Sequence, residues 1–309
     1  MAQASPTISV EISLRGSAAR QRRELIVRAV LLSAALTTIV ISAFIIETVL
    51  VEALSFIGQI DLGQLFGIGW FPRRGIFDLS TIIIGTIIVT VIAMVIATPV
   101  GLASAIYLSE YASPRVRRIV KPILEVLAGI PSVVLGFFAL TVITPSLIKP
   151  LFGDANTFNL AAAGIGVGIL SVPLVASVAE DAMRAVPRSL REASYGLGAR
   201  KITTSLQVVF PAAVSGIVAA LILATSRAIG ETMVVAVAAG APQARTFNPL
   251  DPGGTMTSAM VTLATGSDQV TGDSAAFQSL FFVGLLLFLV TLMLNVLGDA
   301  FVRRARQRY

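Results

Sequence analysis

Six stretches of mainly apolar residues, separated by shorter polar segments, dominate this sequence of 309 residues. A helix needs roughly 20 mostly apolar residues to cross the hydrocarbon core of a membrane, and each stretch is long enough. The fourth is rich in glycine and alanine, which favours close packing between helices over contact with lipid. The pattern predicts an all-α, polytopic membrane helix bundle with six transmembrane helices, at about residues 28–51, 79–108, 123–148, 158–178, 212–240 and 277–298.

The polar segments complete the predicted domain organisation. Residues 1–27 form an N-terminal tail, residues 28–302 the transmembrane domain, and residues 303–309 a basic C-terminal tail. A polar loop of residues 179–211 lies inside the domain, between the fourth and fifth spans. The first stretch is too long for the apolar region of a signal peptide, so we expect it to remain as a span.

Lysine and arginine are distributed unevenly over the polar segments, and this distribution predicts the orientation of the chain. If the N-terminus is cytoplasmic, 18 of the 23 basic residues lie in cytoplasmic segments, four lie in outer segments, and Arg227 lies within a span. We therefore expect a multi-pass protein of the cytoplasmic (inner) membrane with both termini in the cytoplasm. The same distribution explains the net charge of +6 without nucleic acid, so no nucleic-acid partner is expected.

The composition narrows the chemistry that the chain can perform. Charged residues make up 13% of the sequence and the mean hydropathy is +0.87, whereas a soluble domain carries about 25% charged residues. Histidine and cysteine are absent, which removes the commonest general base, thiol nucleophiles and thiolate metal ligands. The chain also lacks the phosphate-binding loop G-x-x-x-x-G-K-[ST] of ATPases. We expect a transport subunit rather than an enzyme, with no cofactor or metal in this chain.

Two charged residues, Arg227 and Glu231, lie inside the fifth apolar stretch. A central arginine costs roughly 2.5–3.5 kcal/mol on insertion scales, so some interaction must offset that cost. A spacing of four residues places both groups on one face of a continuous helix, where they can pair. Two interpretations are open: a structural ion pair inside the bundle, or an anion contact on a translocation path. The second is favoured because a guanidinium makes planar, bidentate contacts with phosphate.

The segment between the fifth and sixth stretches, about residues 241–276, is the longest outer segment. It is rich in proline, glycine, asparagine and aspartate, which favour turns. Residues 255–264 form either a short helix after Gly253-Gly254 or part of an irregular loop, and the local sequence leaves both open. A segment of this size is suited to contact with a partner on that side of the membrane.

The polar loop before the fifth stretch carries a specific spacing. Over residues 192–211 it has E-A-S, three residues, G, nine residues, V, one residue, and F-P. From these residues alone the loop is either a helix–turn–helix packed on its own bundle or a surface of small side chains that another protein contacts closely. The spacing resembles the EAA loop of ABC import permeases, with serine, valine and phenylalanine in place of alanine, isoleucine and leucine. The resemblance implies a coupling helix that binds a groove of a cytoplasmic ATPase through Glu192, Ala193 and Gly198.

Longer matches extend the resemblance over almost the whole chain after about residue 28. The run at residues 101–111, the run KPILEVLAGIPSVVLGFFAL and the run SRAIGETM are similar to the phosphate-specific ABC transporter permeases. Gly230-Glu231-Thr232-Met233 and the outer run TMTSAM resemble the PstC type more than the PstA type. The chain is identified as a member of this family, which implies the type I ABC importer permease architecture.

This resemblance implies the composition of an ATP-driven importer of inorganic phosphate. The chain would pair with a sister permease of the PstA type. Two ATPase subunits of the PstB type would bind ATP and Mg²⁺ on the cytoplasmic side, and a phosphate-binding protein of the PstS type would dock outside. Two other functions stay open: an ABC permease for another oxyanion, because other importers share the EAA loop, and an ion-driven carrier or channel that needs no ATPase.

Overall fold

The computed structural model describes residues 18–241, 244–266 and 275–305. The tail residues 1–17 and 306–309, and residues 242–243 and 267–274 of the predicted outer segment, lie outside the described residues. The regular secondary structure of the described part is helical apart from one small hairpin, which confirms the predicted all-α class. Its α-helices are α1 (Ala18–Gln59), α2 (Leu79–Ile106), α3 (Pro114–Ala128), α4 (Ser132–Phe138), α5 (Lys149–Leu151), α6 (Leu160–Arg184), α7 (Arg188–Gly196), α8 (Lys201–Thr204), α9 (Phe210–Ala212), α10 (Val214–Ile229), α11 (Met233–Ala238), α12 (Met256–Thr265) and α13 (Ala275–Ala305).

Several of these helices continue into wider π-helical turns, at Tyr107–Tyr111, Ala139–Ile148 and Ser205–Val209. In the described chain, five helical segments are long and apolar enough to cross a membrane: Arg22–Gln59, Leu79–Tyr111, Ser132–Leu151, Leu160–Arg184 and Ala275–Arg304. Lys201–Ala212 and Val214–Ile229 qualify together as a sixth, although they meet at an angle of 71°. Each predicted span therefore has a helical counterpart.

The chain divides into two units, residues 1–49 and 50–309. The described part of the first unit is the N-terminal portion of α1, whose large apolar side chains, including Leu31, Ile39 and Phe44, are exposed. A long helix with this surface is suited to contact with lipid tails rather than water.

The centre of the second unit is the packing of α6 against α2. A Cβ at Gly168 of α6 would lie 3.0 Å from the carbonyl oxygen of Ala93, and one at Gly164 would lie 2.7 Å from the Cβ of Ile92. Glycine is therefore required for this close approach of the two helices. The expectation that the glycine-rich stretch packs against other helices is confirmed.

The third span starts later than the sequence predicted. Residues 123–128 belong to α3, and the apolar span begins at Ser132. Pro131 stands between the two helices: it has no N–H to donate and disfavours helical backbone in the residue before it. The segment 114–128 is thus a separate helix rather than the beginning of a span.

The fifth span is interrupted. The helix α10 ends at Ile229, residues 230–232 are not helical, and α11 begins at Met233. The expectation of one continuous helix over residues 212–240 is wrong at the position of Arg227 and Glu231.

The loop before α2 contains an antiparallel hairpin of β1 (Trp70–Phe71) and β2 (Ile76–Phe77), with Trp70 opposite Phe77. Asp78 joins this hairpin to α2. Its buried carboxylate accepts hydrogen bonds from the Gly69 N–H, the Ser80 N–H and hydroxyl, and the Thr81 hydroxyl. Burial by itself raises the pKa of Asp78, but these hydrogen bonds outweigh burial, and the pKa lies below its ordinary value. Asp78 is therefore ionised at neutral pH and caps the helix.

Residues 256–265 form a helix, so the helical alternative for the outer segment is correct. The Thr255 hydroxyl accepts a hydrogen bond from the Ser258 N–H, and the Ser258 hydroxyl accepts one from the Thr255 N–H. This capping box ends the preceding glycine-rich turn and starts α12. The Met256 N–H donates to the Thr86 hydroxyl of α2 at 3.0 Å, which fixes the start of α12 inside the bundle.

Candidate functional site

Arg227 lies in the last turn of α10, and its side chain is exposed on the surface of this chain. The side chain makes no hydrogen bond or ion pair within the part of the chain that the structure describes. The C-terminal end of a helix favours a cation because its free carbonyl groups carry partial negative charge. The end of α10 therefore stabilises the guanidinium of Arg227 without a neutralising acid. The positive charge of Arg227 is then available to an anion.

Glu231 lies beyond the end of α10 and does not share a helical face with Arg227. Its Oε1 accepts a hydrogen bond of 3.4 Å from the Val234 N–H, so the carboxylate caps the first turn of α11. The predicted pairing between the two side chains is absent from the described contacts. The reason is local: the i,i+4 geometry requires a continuous helix, and the helix stops between them.

The break between α10 and α11 is held by α12. The Thr257 hydroxyl donates a hydrogen bond of 2.8 Å to the backbone carbonyl of Glu231, which the interrupted helix leaves without its usual partner. A cavity of about 320 Å³ lies beside the break, with Gly230, Thr232 and Thr257 on its wall among apolar side chains. Arg227 is not among the lining residues. The cavity is therefore a space between helices that the guanidinium of Arg227 does not line.

The predicted coupling residues lie on the surface around α7. Glu192 and Ala193 are exposed in the helix, and Leu197, directly after it, is 90% exposed. Gly198 is exposed as well. All three predicted coupling residues are therefore accessible to another protein.

Gly198 ends α7 in the left-handed conformation, with φ of 80°. Its N–H donates to the carbonyl of Tyr195, and the N–H of Ala199 donates to the carbonyl of Ser194. This pattern is a Schellman motif, in which glycine is preferred because a side chain strains the left-handed backbone. A Cβ at Gly198 would meet nothing within 4 Å, so the position is open as well as strained.

Arg191 joins α7 to the spans, and sequence reasoning did not identify this role. Its Nη2 lies 2.9 Å from Glu110 Oε1, and its guanidinium also donates to the backbone carbonyls of Met183 and Val186. Both side chains are largely buried, with Glu110 4% exposed. The pair connects α7 with the end of the second span and the end of α6. In the sequence, Glu110 follows directly after a span without charged residues, which indicates that its carboxylate has a partner. The loop of residues 179–211 holds five basic residues, and the sequence does not select Arg191 among them.

A family described as the binding-protein-dependent transport system inner membrane component matches residues 97–308, which is most of the chain and includes α7, Arg227 and Glu231. The chain belongs to this family. As a member, this permease is a multi-pass membrane component of an ABC importer. It is a transport subunit rather than an enzyme, as predicted, because the ATPase of this family is a separate subunit.

The curated relatives of this permease cover most of its length. It is 33% identical to the probable ABC transporter permease protein YqgH of Bacillus subtilis, over 94% of this chain and 95% of that protein. It is 31% identical to the phosphate transport system permease protein PstC of Xylella fastidiosa, over 86% of this chain and 88% of that protein. It is 33% identical to PstC 1 of Mycobacterium tuberculosis, over 75% of this chain and 74% of that protein. The resemblance to PstC-type permeases is confirmed by these relatives.

Solved structures share the fold of this permease. A bacterial ABC transporter involved in the import of the acidic polysaccharide alginate matches with a TM-score of 0.64 and 13% identity, over 93% of this chain and all (100%) of that chain. The inward-facing MetNI methionine ABC transporter matches with a TM-score of 0.55 and 19% identity, over 80% of this chain and 100% of that chain. These likenesses confirm the ABC importer permease architecture.

Proposed function

We propose that this permease forms, with a sister permease of the PstA type, the pathway for inorganic phosphate in an ATP-driven importer. The main support is the unneutralised guanidinium of Arg227 at the helix break. Relatives of similar length that are named phosphate transport system permeases add to this support.

Phosphate is suited to this guanidinium by charge and by geometry. It carries more than one negative charge on average near neutral pH, and a low-dielectric passage needs a compensating cation. Arg227 is the only basic residue in the interior of an apolar stretch. Its planar group can donate two parallel hydrogen bonds to two oxygens of a tetrahedral anion. Because the side chain is exposed on this chain, the sister permease would complete the site from the other side.

Glu231 has a different role in this proposal. Its carboxylate caps α11 and keeps a negative charge near the break. That charge would limit how tightly an anion is held by Arg227, since a site that binds too tightly does not release. The two residues therefore act on the same anion without forming a stable pair with each other.

The surface around α7 supports coupling to a separate ATPase. Glu192, Ala193 and Gly198 would bind in a groove of one of two PstB-type subunits, which would hold ATP and Mg²⁺. Movement of α7 would pass to the second span through the pair of Arg191 and Glu110. A phosphate-binding protein of the PstS type would deliver phosphate on the opposite side.

The proposed orientation places both termini in the cytoplasm of a cell whose inner (cytoplasmic) membrane holds the importer. Its support is the excess of basic residues in the segments on that side, 18 against four. Single cysteines at Ser17 and Asp268, in a chain without cysteine, test it. Both positions lie outside the described residues. An impermeant thiol reagent should label only Asp268→Cys in intact cells, and labelling of Ser17→Cys would reverse the orientation.

Uptake by the importer reconstituted in vesicles tests the function. We expect uptake of radiolabelled phosphate that requires ATP and the binding protein and is unaffected by excess sulfate or molybdate. Preferential transport of sulfate or molybdate would assign the permease to another oxyanion. Uptake by the permease without an ATPase would instead favour an ion-driven carrier.

A further inference from the structure

The helix α3 connects the second and third spans. It is preceded by the spanning segment Leu79–Tyr111 and followed by the spanning segment Ser132–Leu151. Both ends of α3 are therefore fixed near one surface of the membrane. This is the end of the bundle that carries α7, because Glu110 at the end of the second span holds Arg191.

One face of α3 is apolar and exposed. Val116, Ile119, Ile123 and Val126 follow one another at intervals of three or four residues, which places them on one face. Their exposed fractions lie between 37% and 72%. An amphipathic helix of this kind, held at a membrane surface, buries such a stripe at the boundary between headgroups and acyl chains.

The opposite face of α3 is bound to α6 by a buried ion-pair network. Glu180 is fully buried, and its carboxylate lies 2.7 Å from Arg117 Nη2 and 2.9 Å from Lys121 Nζ. Lys121 Nζ also lies 2.7 Å from Asp181. Burial by itself lowers the pKa of Lys121, but hydrogen bonds to Asp181 and Glu180 outweigh it, and the pKa is raised. The lysine is therefore charged at neutral pH, and the network fixes the rotation of α3.

A cavity of about 490 Å³ opens beside this network. Arg117, Arg118, Lys121 and Arg184 line it, and Glu125 is the one acidic residue among its lining residues. Arg118 has no ion pair within the described residues. Arg184 is 45% exposed, and its Nε is 3.9 Å from Glu180. Even with Glu180 and Asp181 counted, the basic groups exceed the acidic groups by one, so Arg118 is available to an anion. Arg184 reaches Glu180 only through a long contact of its Nε, so its two Nη groups can donate to the same anion.

We infer that this cavity binds the phosphodiester headgroup of an anionic phospholipid, with α3 embedded in the same leaflet. A phosphodiester oxyanion would accept hydrogen bonds from Arg118 and Arg184, and the acyl chains would pass the edge of α3 into the leaflet that covers its apolar stripe. Basic cavities between helices at a membrane surface suit such headgroups. Free phosphate shares the headgroup chemistry but has no acyl chain to anchor it in the leaflet. Only the assignment of this leaflet to the cytoplasmic side rests on the proposed function.

Titration of phosphatidylglycerol into the purified importer, followed by native mass spectrometry, tests the headgroup site. We expect about fivefold weaker binding for Arg118→Gln or Arg184→Gln, and about 25-fold weaker binding for both together. Arg115→Gln is the matched control, because Arg115 is exposed on the same helix but does not line the cavity. Equal losses in the control would overturn the site in favour of general surface charge.

Inorganic phosphate distinguishes the two sources of the anion. Millimolar phosphate should not displace the lipid, and displacement that requires Arg118 would overturn the lipid assignment in favour of free phosphate. Phosphate uptake is measured separately on each variant. Lost lipid binding with retained uptake supports the headgroup site. If the unaltered importer binds the lipid but takes up no phosphate, only the proposed function fails.

A fluorophore on Ile119→Cys tests the stripe, because the chain has no cysteine of its own. Brominated lipids should quench it, whereas the same label on Leu197→Cys at the end of α7 should stay bright. An unquenched label at position 119 would show that lipid does not cover the stripe, and would overturn the placement of α3 in the leaflet.

Discussion

Arg227→Gln is expected to reduce phosphate uptake by the assembled importer by at least about 30-fold, the size of effect seen when one member of a desolvated charge pair is removed. Glutamine keeps a hydrogen-bonding side chain and removes the charge. The anion would then cross the helix break with no compensating cation. Uptake of radiolabelled phosphate by vesicles, corrected for the amount of inserted permease, measures the effect.

Two variants define what this loss means. Arg227→Lys keeps the charge without the planar donor pair, so uptake should fall between wild type and Arg227→Gln. Ser226→Ala is the matched control, because Ser226 bonds to Asn295 of α13 rather than to a charged group, and it should transport normally. Near-normal uptake by Arg227→Gln would remove Arg227 from the path. Loss of the folded complex in that variant would make the residue structural.

Glu231→Gln is informative beside these variants because glutamine retains an oxygen that can cap α11. We expect the helix break to persist while the negative charge is lost, and uptake to be impaired through slower release of phosphate. Tighter phosphate retention by this variant is the distinguishing measurement. Unchanged retention would limit Glu231 to its role as a helix cap.

In Gly198→Trp, the loaded binding protein is expected to no longer stimulate ATP hydrolysis, although the permease still inserts into the membrane. The position is open on the permease itself, since a Cβ there meets no atom within 4 Å. A tryptophan would therefore project into the space where an ATPase binds. The measurements are co-purification of the ATPase and ATP hydrolysis stimulated by the loaded binding protein.

The positive φ of Gly198 requires a control for backbone strain. Asparagine tolerates the left-handed region better than other side chains and is small, so Gly198→Asn should retain most coupling. Ala193→Asp, on the exposed face of α7, should also weaken the contact, because it buries an unpaired charge in the interface. Normal coupling in Gly198→Trp would show that the ATPase contacts another surface.

Much of the fold could be predicted from the sequence, whereas the contact of Glu192, Ala193 and Gly198 with an ATPase stays a prediction. The spans follow from hydropathy because burial in lipid depends on the apolar content of a segment, a local property. The exposed helix that carries Glu192 and Ala193 was located by its motif, and the structure supplies the reason for Gly198 in the left-handed end of that helix. The geometry of Arg227 and Glu231 was not predicted correctly, because the spacing argument assumed an unbroken helix.

Contacts between distant residues decided the rest. The break after α10 is supported by Thr257, which is 26 residues from Glu231. Gly230 at the break is not a sufficient signal in the sequence, because Gly216 lies inside α10 without interrupting it. Arg191 and Glu110 are 81 residues apart, and nothing in the local sequence selects this arginine over its neighbours.

The sequence by itself determined that this chain enters a membrane and which stretches are apolar enough to cross it, because apolar length is read along the chain. Only the tertiary structure decided which charges are neutralised and which are available. From the sequence, Arg117 and Lys121 are basic residues that set the orientation of the chain, whereas in the structure both form ion pairs with buried Glu180. The sequence spacing predicted that Arg227 can pair with Glu231, whereas in the structure its side chain has no partner among the described residues. The physical reason is that electrostatic interactions depend on distance and burial, which packing sets.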